Sequence, residues 1–207
     1  MRLVALADTH LFHEGLEVPE GDVLVHAGDL LRAGSLDELA RAAAWLRGLP
    51  HPVKVVVAGN HELCLQKRPE EARALLEGFV YLEDGAATID GLVFYGSPWQ
   101  PIFRVWAFGA RRGPELAAKW ARIPERVDVL VTHGPPFGYG DRARPGHPGG
   151  EWHVGCVDLL ARVRAVRPRL HLFGHIHQDP GRWEEDGTLF ANVTTAEGTL
   201  PAAVFDL

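Results

Sequence analysis

Five short apolar runs constrain this chain more than any other feature. They are Leu3-Val4-Ala5-Leu6-Ala7, Val23-Leu24-Val25-His26-Ala27, Val53-Lys54-Val55-Val56-Val57-Ala58, Val127-Asp128-Val129-Leu130-Val131-Thr132 and Leu170-His171-Leu172-Phe173. Near-continuous apolarity over so few residues suits strands covered on both faces. Helical patterns separate them. Ser35 is placed to cap a helix through Leu36, Leu39, Ala42, Ala43 and Leu46, ending near Gly48. Pro69-Glu70-Glu71 and Pro114 open two more, and Val157 to Val166 carries apolar residues at helical spacing before Pro168. Alternating strand and helix predicts a layered α/β fold. Asp84-Gly85, Asp90-Gly91 and Asp186-Gly187 predict hairpin turns. Beside them, strand segments are expected at Thr88-Ile89, Leu92 to Tyr95, Arg182-Trp183, Leu189-Phe190 and Ala203 to Phe205. The expectation is a mixed arrangement, parallel at the centre with hairpins toward the edges.

At 207 residues, of which 46% are hydrophobic, the chain can bury one good core, so a single domain over 1–207 is expected. No apolar run approaches the roughly 18 residues that a membrane span requires. Asp8 cuts short the apolar N-terminus, which reads as a first strand of a cytoplasmic protein and not as a secretory leader. A net charge of −6, from 21 basic and 27 acidic residues, argues against avid binding to long nucleic acids. It leaves room for a small anionic substrate, because bound cations supply positive charge locally. The two cysteines, Cys64 and Cys156, form no disulfide framework.

The chemistry lies directly after the apolar runs. In order, the following residues are Asp8-Thr9-His10, Gly28-Asp29, Gly59-Asn60-His61-Glu62, His133-Gly134-Pro135 and Gly174-His175-Ile176-His177. Each run thus ends in a metal-capable side chain, in three cases behind a glycine that lets the backbone turn. Ligands gather outside the carboxyl ends of parallel strands, so these segments are expected to build one polar cluster. Any single piece has an ordinary explanation: a capping Asp29, a turn Asn60, a hydrogen-bonded His133. Coincidence at all five strand ends is improbable. The donors are carboxylate, imidazole and amide without thiolate, a mixture suited to Mn²⁺, Fe²⁺/Fe³⁺ or Zn²⁺ and unlike a structural thiolate zinc site or an all-oxygen Ca²⁺ site. Seven candidates (Asp8, His10, Asp29, Asn60, His133, His175 and His177) exceed the needs of one tetrahedral ion. Two ions sharing a carboxylate would use them.

These motifs resemble the calcineurin-like metallophosphoesterase superfamily, whose pattern is Asp-x-His, Gly-Asp, Gly-Asn-His-Asp/Glu, His and Gly-His-x-His. Every block is matched in order from Asp8 to His177. The segments Gly96-Ser97-Pro98-Trp99-Gln100-Pro101, Thr132-His133-Gly134-Pro135-Pro136, Gly155-Cys156 and Phe173 to His177 are similar to the metallophosphoesterase-domain-containing branch. Some relatives in that branch act on cyclic nucleotides. The resemblance implies a four-layer α-β-β-α sandwich with two mixed sheets. It implies that Asp8, His10 and His177 hold one divalent ion, that Asn60, His133 and His175 hold the other, and that Asp29 bridges them. A water or hydroxide between the ions would attack phosphorus. Asn60 and His61 would contact substrate, with His61 stabilising the phosphoryl oxygen or protonating the leaving alkoxide. Mn²⁺ is the favoured ion, with Fe, Zn, Co, Ni and Mg as alternatives.

The function expected is a phosphodiesterase for small esters. The alternatives are a phosphomonoesterase or protein phosphatase, and a non-catalytic scaffold of the same fold. Other residues stay in the background. His26, His51 and His171 read as structural or supporting. Trp99, Phe103 and Trp106 read as packing ahead of base stacking, and Arg111-Arg112 as a solvated pair. The long Gly134–Gly155 stretch, rich in Gly and Pro, reads as a lid or substrate loop that could carry His153 toward the site.

Overall fold

A computed structural model describes residues 1–143 and 153–207. Two sheets form its centre. The first contains β1 (Arg2–Leu6), β2 (Val23–His26), β3 (Val53–Val57) and β4 (Val80–Leu82), all parallel, with β13 (Ala203–Asp206) antiparallel beside β1. The second contains β5 (Gly85–Ile89), β6 (Leu92–Ser97), β9 (Val129–Thr132), β10 (Leu170–Phe173), β11 (Gly181–Glu185) and β12 (Thr188–Asn192), in the order β11-β12-β10-β9-β6-β5. Its four inner strands run parallel, and the hairpins β5–β6 and β11–β12 close its edges. A short pair, β7 (Gln100–Pro101) and β8 (Gly109–Ala110), stands apart.

Helices α1 (Leu36–Gly48), α2 (Leu63–Lys67) and α3 (Pro69–Leu75) cover the outer face of the first sheet, and α4 (Pro114–Trp120) and α5 (Val157–Val166) that of the second. Three apolar layers fill the resulting sandwich. Leu3, Val25, Val55, Phe94, Val131 and Leu172 meet between the sheets. Val4, Leu24, Leu39, Leu46 and Val56 pack under α1 to α3, and Leu116, Trp120, Leu130, Leu159 and Val163 under α4 and α5. Adjacent residues of one strand, such as Leu3 and Val4, point into different layers, so both faces are buried and the run looks continuously apolar in sequence. The four-layer architecture with two mixed sheets is present.

Local chemistry sets the element ends. The Ser35 side chain accepts from the Glu38 N–H, and the Glu38 carboxylate accepts from the Ser35 N–H, a complete capping box that opens α1. Asp90-Gly91 and Asp186-Gly187 make two-residue hairpin turns with both residues at positive φ. Asp84-Gly85 corrects the third turn expected. It carries the chain from β4 in one sheet to β5 in the other, and the buried Asp84 carboxylate accepts from Ser97, Trp99 and Arg122. An aspartate in a left-handed conformation suits a crossover as well as a hairpin. Residues 144–152 of the Gly134–Gly155 stretch assigned as a lid lie outside the described residues. Its described feet are fastened: Asp141 accepts from the Gly138 and Gly155 N–H groups, and Arg142 pairs with Asp179.

Candidate metal centre

The five apolar runs do not share one sheet. β1, β2 and β3 belong to the first sheet, β9 and β10 to the second, and their carboxyl ends meet at the seam between the two. Ala7, just past β1, pairs there with Thr194, just past β12. Asp8, His10, Asp29 and Asn60 approach from one side, His133, His175 and His177 from the other.

The backbone at this seam is unusual. Asp8 (φ 56°), His10 (φ 44°), Asp29 (φ 57°) and His175 (φ 69°) all lie in the left-handed region. Non-glycine residues held there cost on the order of 1–3 kcal/mol each, and such strain collects at functional sites. The glycines before the candidates serve closeness more than turning. Of the three, only Gly28 has positive φ, at 99°. A methyl group on Gly28 would meet the Gly59 nitrogen at 2.8 Å, and one on Gly174 would meet Asp8 Oδ2 at 2.6 Å. Neighbouring backbone and candidate-ligand side chains approach these glycines so closely that a Cβ has no room.

All seven sequence candidates converge. Nε2 of His133 lies 2.9 Å from Asn60 Oδ1, 3.2 Å from His175 Nδ1 and 3.4 Å from Asp29 Oδ2. Asp29 Oδ2 lies 3.7 Å from His10 Nε2, and Asp8 Oδ1 lies 3.8 Å from His177 Nε2. Two triads, Asp8-His10-His177 and Asp29-His133-His175, each bring three donor atoms within 4.8 Å of one another. His61 joins a third with His10 and Asp29.

Backbone carbonyls fix the tautomers, because a carbonyl only accepts. His133 Nδ1 donates to Ala27 at 3.0 Å, His10 Nδ1 to Leu31 at 2.7 Å, and His61 Nδ1 to Arg32 at 2.5 Å. In each neutral ring Nε2 therefore keeps a lone pair directed inward. A neutral His133 points that lone pair at the oxygens of Asn60 and Asp29, so a proton or a cation is needed between them. This surplus of converging lone pairs fits divalent ions at both triads.

The charges fit as well. Burial opposes the ionised form of Asp29, but His133, His10 and His61 outweigh it and hold the carboxyl well below the usual range. Burial likewise opposes charge on His133, yet Asp29 pushes that imidazole up to about 9. Proton and cation compete for the same lone pair, so ion uptake releases protons. His26 and His171 are held down to about 3, by burial foremost, and stay neutral. Each leans on a threonine beside a candidate ligand: His26 on Thr9 at 3.1 Å and His171 on Thr132 at 2.9 Å. The Thr132 hydroxyl donates to Gly134 C=O, so it accepts from His171.

The motif reading leaves Glu62 without a role. Its buried carboxylate accepts from three backbone N–H groups, Asp29 (2.9 Å), Leu31 (3.0 Å) and Gly59 (2.5 Å), and so ties the loops after β2 and β3 together. Burial, then the charge of Asp29, push this carboxyl up to about 8, with the N–H donors countering. The seam opens into a cavity of about 710 Å³ whose rim carries Arg32, Phe103, Glu38 and Glu197. Trp106 stacks on His61, whereas Trp99 donates to Asp84 beneath the Lys119 ammonium. Arg112 fastens the backbone at Val154 and Gly155, and Arg111 pairs with Glu115. His153 donates to Asp141 at 2.7 Å and is not among the described residues lining the cavity.

Comparison with known proteins gives the class first. The fold is that of metallophosphoesterases. TT1561 of Thermus thermophilus superposes with a TM-score of 0.61 at 12% identity, over 99% of this chain and 98% of that one. An archaeal phosphodiesterase superposes with a TM-score of 0.50 at 15% identity, over 100% of this chain and 93% of that one. Sequence then narrows the class. The calcineurin-like phosphoesterase family model matches residues 1–179, and the chain belongs to that family. It is 39% identical over 234 aligned positions to Metallophosphoesterase domain-containing protein 1 of Homo sapiens, covering 100% of this chain and 71% of that protein. It is also 36% identical to UPF0046 protein K07C11.7 of Caenorhabditis elegans, covering 93% of this chain and 69% of that protein. The chain is thus a metal-dependent phosphoester hydrolase by family, with candidate ligands in place. Among the described residues no helix is long and apolar enough to cross a membrane.

Proposed function

We propose that the chain hydrolyses small phosphodiesters, cyclic nucleotides among them, at a centre of two divalent ions, with Mn²⁺ favoured over Fe, Zn, Co, Ni and Mg. The observation that carries this reading is the station of Asp29, whose Oδ2 lies 3.7 Å from His10 Nε2 and 3.4 Å from His133 Nε2. One carboxylate thereby serves both halves of the cluster. Asp8, His10 and His177 would hold one ion and Asn60, His133 and His175 the other, with Asp29 shared between them. When bound, the pair polarises a phosphoryl oxygen and brings a water into its nucleophilic form near neutral pH.

The protein's own groups do the rest. His61 keeps a proton on Nδ1 through the Arg32 carbonyl, so Nε2 is the atom that meets substrate. Protonated there, it donates to a phosphoryl oxygen or to the leaving alkoxide. The Asn60 amide sits beside His133 and lines the same cavity as His61. Among the described residues, the cavity lining sets Arg32 against Glu38 and Glu197. That balance suits the single charge of a diester better than the double charge of a monoester. A cavity of about 710 Å³ has room for a nucleotide-sized ester. In this reading 1–207 acts as one catalytic unit in the cytoplasm, and the free, buried Cys64 and Cys156 accord with a reducing compartment.

The test is a metal-by-substrate screen on metal-stripped protein, comparing bis-p-nitrophenyl phosphate with p-nitrophenyl phosphate. The diester is expected to turn over faster, most of all with Mn²⁺, and a clear preference for the monoester would reverse the assignment. His61→Ala is expected to lower kcat by roughly 10²–10⁴-fold while metal content stays nearly unchanged. Wild-type turnover in that variant would remove His61 from the mechanism.

A further inference from the structure

His61 is held from several directions, and one of its supports has no part in the reading above. The Trp106 indole stacks on the imidazole, with centroids 4.1 Å apart and planes 29° from parallel. His10 meets the same ring edge-on at 4.6 Å. The His61 N–H donates to Asp29 Oδ1 at 2.8 Å, and Nδ1 donates to the Arg32 carbonyl at 2.5 Å. The N–H bond fixes the backbone and the Nδ1 bond selects the ring edge. The indole face closes the side to which the imidazole would otherwise swing.

Trp106 is itself firmly placed. Ala107, the next residue, is fully buried; its N–H donates to the Asn60 carbonyl at 2.9 Å and its carbonyl accepts from Gln100 Nε2 at 2.8 Å. Phe108, also buried, donates its N–H to Gln66 Oε1 at 3.3 Å. The segment therefore changes character abruptly after Val105, which is 96% exposed. The Asn60–Ala107 bond carries the position of the indole to the loop that presents both Asn60 and His61. Among the described residues that line the cavity are His61 and Phe103, and Trp106 is not one of them. Its ring backs the imidazole and does not face the substrate space.

We propose that Trp106 is a positioning residue for His61: its indole face holds the imidazole in the orientation that presents Nε2 to the ester, so it governs turnover and not substrate affinity. The inference rests on the role given to His61 above. A proton donor displaced by about 1 Å forfeits up to roughly 10²-fold in rate, whereas substrate held by other groups binds as before.

The experiment compares Trp106→Ala, Trp106→Phe, Trp106→Leu, His61→Ala and the double variant Trp106→Ala/His61→Ala, as full chains loaded with Mn²⁺ and assayed on bis-p-nitrophenyl phosphate. Trp106→Ala is expected to lower kcat about tenfold or more with KM changed less than about twofold. Trp106→Phe restores most of the rate, and the double variant is no slower than His61→Ala. In the diamagnetic Zn²⁺-loaded chain, the His61 Cε1–H resonance moves in Trp106→Ala as the ring current is lost. Should the alanine variant fail to fold, Trp106→Leu keeps apolar bulk without the ring and carries the same expectations. A raised KM at unchanged kcat would make Trp106 a substrate platform and overturn the inference, as would a double variant whose losses multiply. Slow His61→Ala beside normal Trp106→Ala overturns this inference alone. Normal turnover in His61→Ala overturns the catalytic role of His61 and this inference with it.

Discussion

Glu62 lines no part of the cavity and belongs to neither triad, yet it holds the backbone of Asp29. Its two oxygens satisfy the buried N–H groups of Asp29, Leu31 and Gly59. A buried donor stripped of its acceptor costs about 1–3 kcal/mol. Glu62→Ala is therefore expected to destabilise the fold by at least about 2 kcal/mol in urea unfolding, and to weaken Mn²⁺ uptake measured by calorimetry; unaltered values of both would remove this role. The seven candidate ligands are legible in the sequence because each belongs to the short polar segment that follows an apolar run. Glu62 stands in the same motif but faces backbone, and nothing in its residue type separates a carboxylate that gathers N–H groups from one that faces solvent. Trp106 is less legible still, since its partner His61 lies in a segment reached only through the folded chain.

At the scale of elements, strand-end loops do the assembling. Pro69, Pro114 and Ser35 mark helix starts, because a capping box and a helix-opening proline are local devices. The two edge hairpins are equally legible. The sheet to which each strand belongs is not readable from apolar pattern alone: runs buried on both faces look alike whichever sheet they enter. Asp84-Gly85 misleads for a related reason, since a turn dipeptide specifies local backbone and not the sheet that follows. The close approach of the β2 and β3 loops gives a direct test. A methyl on Gly59 would lie 2.6 Å from the Asp29 nitrogen and 2.7 Å from His133 Cε1. Overpacking of this kind costs about 1–3 kcal/mol, so Gly59→Ala is expected to lower both the melting temperature and the stoichiometry of bound Mn²⁺. Normal ion binding by this variant would show that the loops tolerate separation.

Across the whole molecule, the two triads each draw side chains from both sheets. Ions bound there tie the halves of the sandwich together and favour the folded state by mass action. At an ion concentration 100 times Kd, each site adds about 2.7 kcal/mol. Scanning calorimetry is expected to show one unfolding transition that moves upward with Mn²⁺ and returns on chelation. A transition that ignores the ion would place the binding elsewhere or exclude it.

The apolar filling between the sheets acquires a second duty from this arrangement. Phe94, Val55, Val131 and Leu172 do not line the cavity, but they pack in the layer between the sheet that carries Asp29 and the sheet that carries His133. Paired-ion chemistry tolerates a separation of only about 3.5–4 Å. The thickness of a greasy layer thus tunes the reach of a polar one, and residues of opposite character share a single dimension of the molecule.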